Sequence, residues 1–179
     1  GYIEAGIQCG NLRQVLERRL QAQGERCECI RSREVGNAVV ESSVWDIHQH
    51  RAQGAWEYFI SKTSDDSTKS KLLGFARLRL TRRAGRGLDW EVLVPELVGC
   101  ALLRELHVYG RTQSKRLSVN LSNQISHVQH KGLGMELVEK AKHIAWAHGY
   151  TRIAVTSGVG VRSYYLEKCG FKMSPGDLY

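Results

Sequence analysis

The stretch Gln129-His-Lys-Gly-Leu-Gly134 decides the fold, because it places two closely spaced glycines at the start of a strongly helical segment. Glycine lets a backbone approach a bound anion closely, and the free N–H groups at a helix start attract negative charge. The stretch holds two of the three glycines of a dinucleotide-binding fingerprint and lacks the Gly-Lys-Ser/Thr of a P-loop. Taken alone it also fits an ordinary turn and helix cap, so its meaning depends on the elements around it.

A long β-prone run, 98–109, precedes this stretch. The alternation of a strand places Arg104 with the apolar residues Leu102 and Leu106 on one face, and Glu105 with His107 on the other. After the stretch, a helix is predicted to run to about His148 and to end at Gly149. Its buried stripe is predicted from residues at helical spacing, namely Leu133, Leu137, Ala141, Ile144 and Ala145.

A buried strand is predicted next, at Arg152–Thr156. A short helix follows through Tyr164 and Tyr165 and ends at Gly170, and Phe171 begins a last strand. Strands that alternate with helices in this order predict an α/β sheet with crossover helices.

Local patterns predict the elements of the first half of the chain. A helix is predicted from Asn11 to Gly24, and 27–35 is predicted to be a short strand rich in arginine. Residues 61–71 hold no apolar residue and are predicted to form a surface loop. Beyond it, strand Leu72–Leu80 is predicted to form a hairpin with a second strand near 88–94.

Two parts are therefore expected: an N-terminal helix with a Cys-x-Cys segment in residues 1–35, and an α/β domain in residues 36–179. Residues 37–60 show no clear pattern, although Trp45 and Trp56 are expected to be core anchors there.

The charge of the chain points to anionic partners. There are 26 Lys+Arg against 18 Asp+Glu, a net charge of +8. Nucleic acid leads the list of such partners, although a solvated surface that only maintains solubility explains the excess equally well. No apolar run approaches the ~20 residues that span a bilayer, so no membrane partner is expected. The odd number of cysteines, five, predicts a reducing compartment, the cytoplasm or the nucleus, rather than a secreted disulfide framework.

Several motifs together carry a resemblance to a known family. Arg104–Gly110 (RELHVYG), Gln129–Met135 (QHKGLGM) and Ile153–Tyr165 (IAVTSGVGVRSYY) resemble the GNAT acetyltransferase domain of the catalytic subunit of Elongator, in the tRNA carboxymethyluridine synthase family. The similarity covers nearly the whole chain, because further segments match in order: Tyr2–Gly6, Asn11–Arg13, Cys27–Val35, Gly54–Glu57 and Leu73–Arg79.

The resemblance implies a GNAT fold, with a central mixed β-sheet flanked by helices, and acetyl-CoA as the cofactor. In that family a Gln/Arg-x-x-Gly-x-Gly/Ala motif holds the pyrophosphate, and the strand that matches Glu105–Val108 contacts the pantetheine arm. The expected cofactor-binding residues are Glu105, Leu106, His107, Val108, Gln129, Lys131, Gly132, Leu133, Gly134, Met135, Tyr164 and Tyr165.

Three of these residues are candidates for catalysis. Glu105 is expected to deprotonate a water or an amine, with a buried ion pair as the alternative. Tyr165, favoured over Tyr164, is expected to protonate the departing CoA thiolate. His107 is a further candidate base, or else a core histidine with a satisfied ring.

The family also implies tRNA modification, because its members build a carboxymethyl group on the wobble uridine with a radical-SAM domain and an acetyl-CoA domain together. This sequence contains no radical-SAM motif. We therefore expect an excised portion or a variant without that half, which hydrolyses acetyl-CoA in a tRNA-coupled manner beside a radical-SAM partner or other Elongator-like subunits. Arginines suited to RNA phosphates are expected to bind tRNA mainly by its backbone and shape, namely Arg13, Arg31, Arg33, Arg77, Arg79, Arg82 and Arg83.

Other interpretations stay open at this point. Cys27 and Cys29, with His48 or His50, could form part of a zinc site. Two reduced structural cysteines are the simpler reading, so no metal is expected. The same fold also suits a protein lysine N-acetyltransferase, or a non-catalytic tRNA-binding module.

Overall fold

The fold comes from a computed structural model, which describes residues 10–36, 38, 40–66, 70–109 and 132–174. By its internal contacts the chain divides into two units, Gly1–Glu34 and Val35–Tyr179. None of the helices in the described ranges is long and apolar enough to cross a lipid bilayer.

The N-terminal unit contains helix α1 (Leu12–Ala22) and the single-turn helix α2 (Ile30–Arg33). The prediction of α1 is confirmed: Asn11 precedes its first turn, and Gly24 follows it in the left-handed conformation that glycine favours. The strand predicted over 27–35 is wrong. Cys29 is extended there and its carbonyl accepts the N–H groups of Ser32 and Arg33, which turns the segment into a helix.

The second unit is an α/β structure built on one mixed sheet. The order of its strands is β1-β2-β3-β4-β5, antiparallel except for the parallel pair β4 and β5. The strands and helices of its described residues are β1 (Ser43–Ala52), β2 (Ala55–Ser64), β3 (Leu72–Leu80), β4 (Ala101–Val108), α3 (Leu133–Ala147), β5 (Ile153–Val155) and α4 (Arg162–Lys168). The predicted α/β fold with a mixed sheet and flanking helices is therefore confirmed, with one crossover helix, α3, between the parallel strands β4 and β5.

The β1–β2 hairpin accounts for most of residues 37–60, where the sequence shows no clear pattern of secondary structure. Its two-residue turn is formed by Gln53 and Gly54, which both take positive φ angles (48° and 70°) as the tight turns of hairpins require. Trp45 and Trp56 lie on these strands and pack against the core, as predicted. β2 extends into the predicted surface loop, because Ser61 is buried and its hydroxyl donates to the carbonyl of Asp46.

Strand β3 has the predicted bounds. Gly74 faces α3, and Phe75 on the opposite face stacks against the rings of Phe59 and His107. The second strand predicted near 88–94 is wrong: one isolated bridge pairs Arg86 with Val92, and a 3-10 turn follows at Pro95–Leu97.

A β-bulge in β4 corrects the predicted alternation of this strand. Arg77 pairs with Glu105, but the next residue of β3 pairs with Leu103, so Arg104 is the extra residue. Arg104 therefore lies on the face of Glu105 and donates to the Glu57 carboxylate, whereas Leu103 and Leu106 both belong to the core. The predicted grouping of Arg104 with Leu106 is wrong, because a bulge shifts every later side chain by one face.

Helix α3 crosses from β4 to β5 and covers β2, β3 and β4. Its predicted stripe is confirmed at Leu133, Leu137, Ala141 and Ala145, which are buried, and Ile144 packs against the core at their edge. The last strand, predicted to begin at Phe171, is absent from the described residues 171–174. The Phe171 ring instead packs edge-on against Tyr165.

Gly74 is predicted to be essential for the packing of α3. A Cβ atom at this position would lie 2.8 Å from the His107 carbonyl oxygen and 3.2 Å from Leu133. Gly74→Ala should therefore lower the free energy of unfolding by about 1–3 kcal/mol, as overpacked core positions do. Urea denaturation followed by tryptophan fluorescence measures this loss. Gly160→Ala, where the Cβ meets no atom within 4 Å, is the matched control; equal stabilities of the two variants would contradict the packing.

Candidate functional site

The candidate site lies where β4 diverges from β5. The parallel pairing joins only Ala101–Leu103 to Ile153–Val155, although β4 continues to Val108. In the part of the chain that the structure describes, residues 105–108 therefore pair with β3 but with no strand on the β5 side. Backbone N–H and C=O groups along such an edge are free to bind another extended group.

The start of α3 lies at the same place. Gly132 caps the helix in the left-handed conformation, with φ 97°, and no side chain caps the first turn. The first backbone bond of the helix joins the Glu136 N–H to the Gly132 carbonyl, so the N–H groups of Leu133, Gly134 and Met135 have no partner within the helix. These donors, together with the helix dipole, favour an anion at this point.

Gly134 is needed for a different reason from that of Gly132. A Cβ atom on Gly134 would overlap the Tyr164 hydroxyl and would lie 3.6 Å from a methyl group of Val108. Side chains from β4, α3 and α4 therefore meet here. Met135 is exposed beside them, and Glu136 forms a 3.0 Å ion pair with Lys62 that offsets its charge at the helix start.

Tyr164 and Tyr165 have different surroundings, although they are neighbours on α4. Burial raises the pKa of Tyr164 well above its ordinary value, and a hydrogen bond to the Cys169 thiol adds to this rise. Burial also raises the pKa of Tyr165, whose side chain is part of the core. Tyr165 lines a cavity of about 830 Å³ along β5, and Gly134 is not part of the lining of that cavity. The packing therefore places Tyr164, and not Tyr165, against Gly134.

Glu105 and His107 lie on the opposite face of β4 from Val108. The Glu105 carboxylate is 3.4 Å from the Arg77 guanidinium, and both side chains are about two-fifths exposed. The His107 ring is exposed and stacks on Phe75 with 5.0 Å between ring centres. His107 is thus neither enclosed by the core nor directly paired with Glu105.

Sequence reasoning missed a charged cluster on this face. The Glu57 carboxylate is buried and accepts hydrogen bonds from Arg79 at 2.5 Å and from Arg104 at 2.9 Å. The sequence offered one signal for this cluster. Glu57 is an acidic residue among β-prone residues, and an arginine-rich strand that could pair with it follows in the sequence.

The predicted site residues thus divide into three groups. The structure brings Val108, Gly134 and Tyr164 into contact, and it places Leu106 and Leu133 beside them in the core. Glu105 and His107 are on the other side of the strand. Gln129 and Lys131 lie outside the described residues.

The arginines predicted to bind RNA also differ in their surroundings. Arg77 and Arg79 are committed to Glu105 and Glu57. In the N-terminal unit, Arg13 donates to Glu17 and Ser32. Arg31 and Arg33 lie on α2, and the Arg33 Nε is buried without a partner among the described residues. Arg82 and Arg83 line cavities at the far end of the sheet.

The cysteine pair of the N-terminal unit has an electrostatic feature of its own. The Cys29 thiol lies 3.3 Å from the Ser32 hydroxyl and 3.7 Å from the Arg13 guanidinium. Hydrogen bonds from Ser32, and then from Cys27, lower the pKa of Cys29 to about 6. No cluster of three or more His, Cys, Asp and Glu side chains suited to a metal occurs in the described ranges, and His48 pairs with Asp46.

The chain is similar over most of its length to proteins named Elongator complex protein 3. It is 37% identical to the protein of Drosophila melanogaster and 36% identical to that of Homo sapiens, over 96% of this chain and 30% of each relative. The structure of the archaeal Methanocaldococcus infernus Elp3 with an N-terminal deletion superposes with a TM-score of 0.70 and 31% identity, over 95% of this chain and 39% of that one. The chain therefore spans about 30% of the length of the curated relatives. No protein-family model matches it.

Cys29 is predicted to be the reactive thiol among the described cysteines. With a pKa of about 6 it is mostly thiolate near pH 7, so its rate of alkylation by iodoacetamide should rise through about pH 6 and then level off. Ser32→Ala should move this midpoint upward, because it removes the strongest of the stabilising hydrogen bonds. Peptide mass spectrometry measures the rates, with the buried Cys100 and Cys169 as internal controls. A midpoint near the ordinary value of ~8.5 would contradict this assignment.

Proposed function

Because the chain is a partial Elongator complex protein 3-like domain, we propose that it is a GNAT domain that binds acetyl-CoA and hydrolyses its thioester in a tRNA-coupled manner. One observation carries this proposal: the open edge of β4 at Glu105–Val108 meets the uncapped start of α3 at Gly132. The proposed compartment is the cytoplasm, and the proposed partners are tRNA and a radical-SAM domain that performs the radical step of uridine modification.

The residues at this junction suit the two ends of the cofactor. The pantetheine arm of CoA carries two amide groups on an extended chain, and an unpaired strand edge can bind such a chain as it binds an added strand. The free N–H groups of Leu133 to Met135 suit the pyrophosphate, since they are donors at the positive end of the helix. When bound, acetyl-CoA would supply the activated acyl group, and water would supply the oxygen that replaces the CoA sulfur on the acyl carbon. The residues of this chain would take a proton from that water and stabilise the departing thiolate.

Tyr164 is the proposed hydrogen-bond donor to the departing thiolate. Its hydroxyl is protonated at neutral pH, and burial raises its pKa further, which favours donation of a hydrogen bond over complete transfer of the proton. The thiolate would then take its proton from water. Its contact with Gly134 places it beside the helix start, whereas Tyr165 is fixed in the core. We therefore assign this role to Tyr164 in place of Tyr165.

Glu105 is the proposed base. Its carboxylate is partly exposed, and the Arg77 guanidinium at 3.4 Å holds it in place on the face opposite Tyr164. A thioester bound along the strand edge would thus have a base on one side and a hydrogen-bond donor for the leaving group on the other. The proposed binding of tRNA is supported by the net charge of +8 and by Arg82 and Arg86, which have no carboxylate partner among the described residues.

Glu105→Gln should lower the rate of CoA release by roughly 100-fold, the lower range for loss of a general base. The dissociation constant for acetyl-CoA should stay within about twofold, because backbone groups hold the cofactor. Release of CoA thiol, measured with and without tRNA, should be faster with tRNA in the unchanged chain. Glu167→Gln, an exposed change on α4, is the matched control.

The same assay separates the alternatives. Free acetate with a tRNA-dependent rate supports the proposal. Acetyl-lysine on a basic peptide, at a rate indifferent to tRNA, would identify a protein acetyltransferase. No CoA release in the presence of bound tRNA would identify a non-catalytic RNA-binding module.

A further inference from the structure

Two adjoining cavities form a groove at the end of the sheet far from Gly132. Their volumes are about 640 and 540 Å³, and they share five lining residues: Thr81, Arg82, Trp90, His148 and Tyr150. These residues belong to the end of β3, the loop before β4 and the C-terminal end of α3. Because α3 has 15 residues, its two ends are about 22 Å apart, so this Trp90 groove is separate from the candidate acetyl-CoA site.

The lining of the Trp90 groove is basic and aromatic. Neither cavity is lined by a carboxylate. The remaining cations and aromatic groups of the lining are Arg51, Trp56, Arg83 and Arg86. This contrasts with the arginines on the sheet face, where Arg77, Arg79 and Arg104 form ion pairs with Glu105 and Glu57. The groove is therefore lined by four arginines, while two carboxylates, Asp89 and Glu91, flank Trp90 in the loop without lining either cavity.

Trp90 is held by two of these arginines. The Arg83 guanidinium lies 4.7 Å from the centre of its ring, and the Arg86 guanidinium donates to its carbonyl at 2.9 Å. The residue takes a φ of 65°, which is uncommon for a bulky side chain and costs free energy. The indole is nevertheless half exposed. The loop thus holds an aromatic ring at the mouth of the groove instead of burying it.

Arg82 is the uncommitted cation of the groove. It lines both cavities and is exposed, and it makes no hydrogen bond or ion pair with any residue that the structure describes. Its neighbour Arg83, by contrast, donates to the carbonyls of Gly87 and Leu88. A free guanidinium beside a presented indole suits a ligand that has both an anionic group and a flat ring.

We propose that the Trp90 groove binds an unpaired nucleotide of a single-stranded RNA segment, with its base stacked on Trp90 and its phosphate paired with Arg82. This inference deepens the RNA half of the proposed function, because it adds recognition of an unpaired base to contacts with the backbone. Arginines at both ends of the groove, Arg51 and Arg86, would let a phosphodiester chain enter and leave. A duplex offers no free base face, so it should bind less tightly.

The test is fluorescence anisotropy with a labelled single-stranded RNA of about ten nucleotides, within the usual site sizes of single-strand binders. Trp90→Leu should weaken binding about tenfold, the effect of losing one stacked base, and Trp90→Phe should restore most of the affinity. Arg82→Gln should weaken binding and reduce the slope of log K against log salt by about 0.7, the value for one phosphate contact on a single strand.

Two control variants lie outside the groove. Trp146→Leu removes an exposed tryptophan from α3, and Lys168→Gln removes an exposed positive charge from α4. Trp146→Leu should leave the affinity within about twofold, as surface changes remote from a site do. Acetyl-CoA binding should be unchanged in Trp90→Leu, which also shows that this variant is folded.

Several outcomes would overturn the inference. One is equal RNA affinity of Trp90→Leu and Trp146→Leu, and another is equal affinity for a duplex of the same length. Displacement of the RNA by a nucleoside monophosphate at equal phosphate concentration would assign the groove to a free nucleotide. Equal displacement by an acidic peptide would assign it to protein.

If the chain binds RNA but Trp90→Leu has no effect, the inference fails while tRNA coupling stands. If it binds no RNA at all, the RNA half of the proposed function fails too.

Discussion

The close packing of α3 against β3 and β4 is the contact on which the second unit depends. It requires that Gly74 has no side chain, because this residue faces Leu133 and Leu137. Gly134 in turn lets the Tyr164 hydroxyl of α4 approach the same helix. This approach buries the apolar stripe of α3. It also places the first N–H groups of the helix, which have no partner within α3, beside the edge of β4 that pairs with no strand among the described residues. The same packing therefore stabilises the fold and builds the candidate cofactor site.

The bulge at Arg104 divides β4 into two parts with different roles. Before it, Ala101 and Leu103 lie in the core and pair with β5. After it, the strand leaves β5 and carries Glu105 on its polar face. The bulge also joins Arg104 to the buried Glu57, so part of the arginine content serves internal ion pairs. Arg82 and Arg86, which form no ion pair among the described residues, lie away from the sheet face at the Trp90 groove, where we propose that RNA binds.

Much of the fold could be predicted, and the failures have physical causes. The strand β3 and the helix α3 have strong periodicity, so the bounds of both elements and the buried stripe of α3 follow from the sequence. The predicted faces of β4 are wrong because nothing in the local sequence pattern indicates the bulge at Arg104. The strand predicted over 27–35 is wrong because the few apolar residues of this segment fit a single helical turn as well as a strand.

The elements that form the candidate site could be predicted from the sequence, but the contacts between them could not. Gly132 and Gly134 indicate the helix start in the sequence. Only the structure shows why each must be glycine: Gly132 takes a positive φ angle, and Gly134 contacts Tyr164. The choice between Tyr164 and Tyr165 depends on how α4 is rotated, since adjacent helical residues point about 100° apart. The residues that line the Trp90 groove are far apart in the sequence, so no local motif predicts the groove.

The central claim is that the start of α3 binds the phosphates of acetyl-CoA. Isothermal titration with a non-hydrolysable acetyl-CoA analogue tests it through two variants of one helix, Gly132→Asp and Gly149→Asp. Both glycines take positive φ angles, 97° and 81°, so both variants carry a similar backbone strain and the same added charge at opposite ends of α3. We predict one binding site in the unchanged chain, retained in Gly149→Asp and lost in Gly132→Asp. Equal affinities of the two folded variants, or no heat with the unchanged chain, would contradict the account.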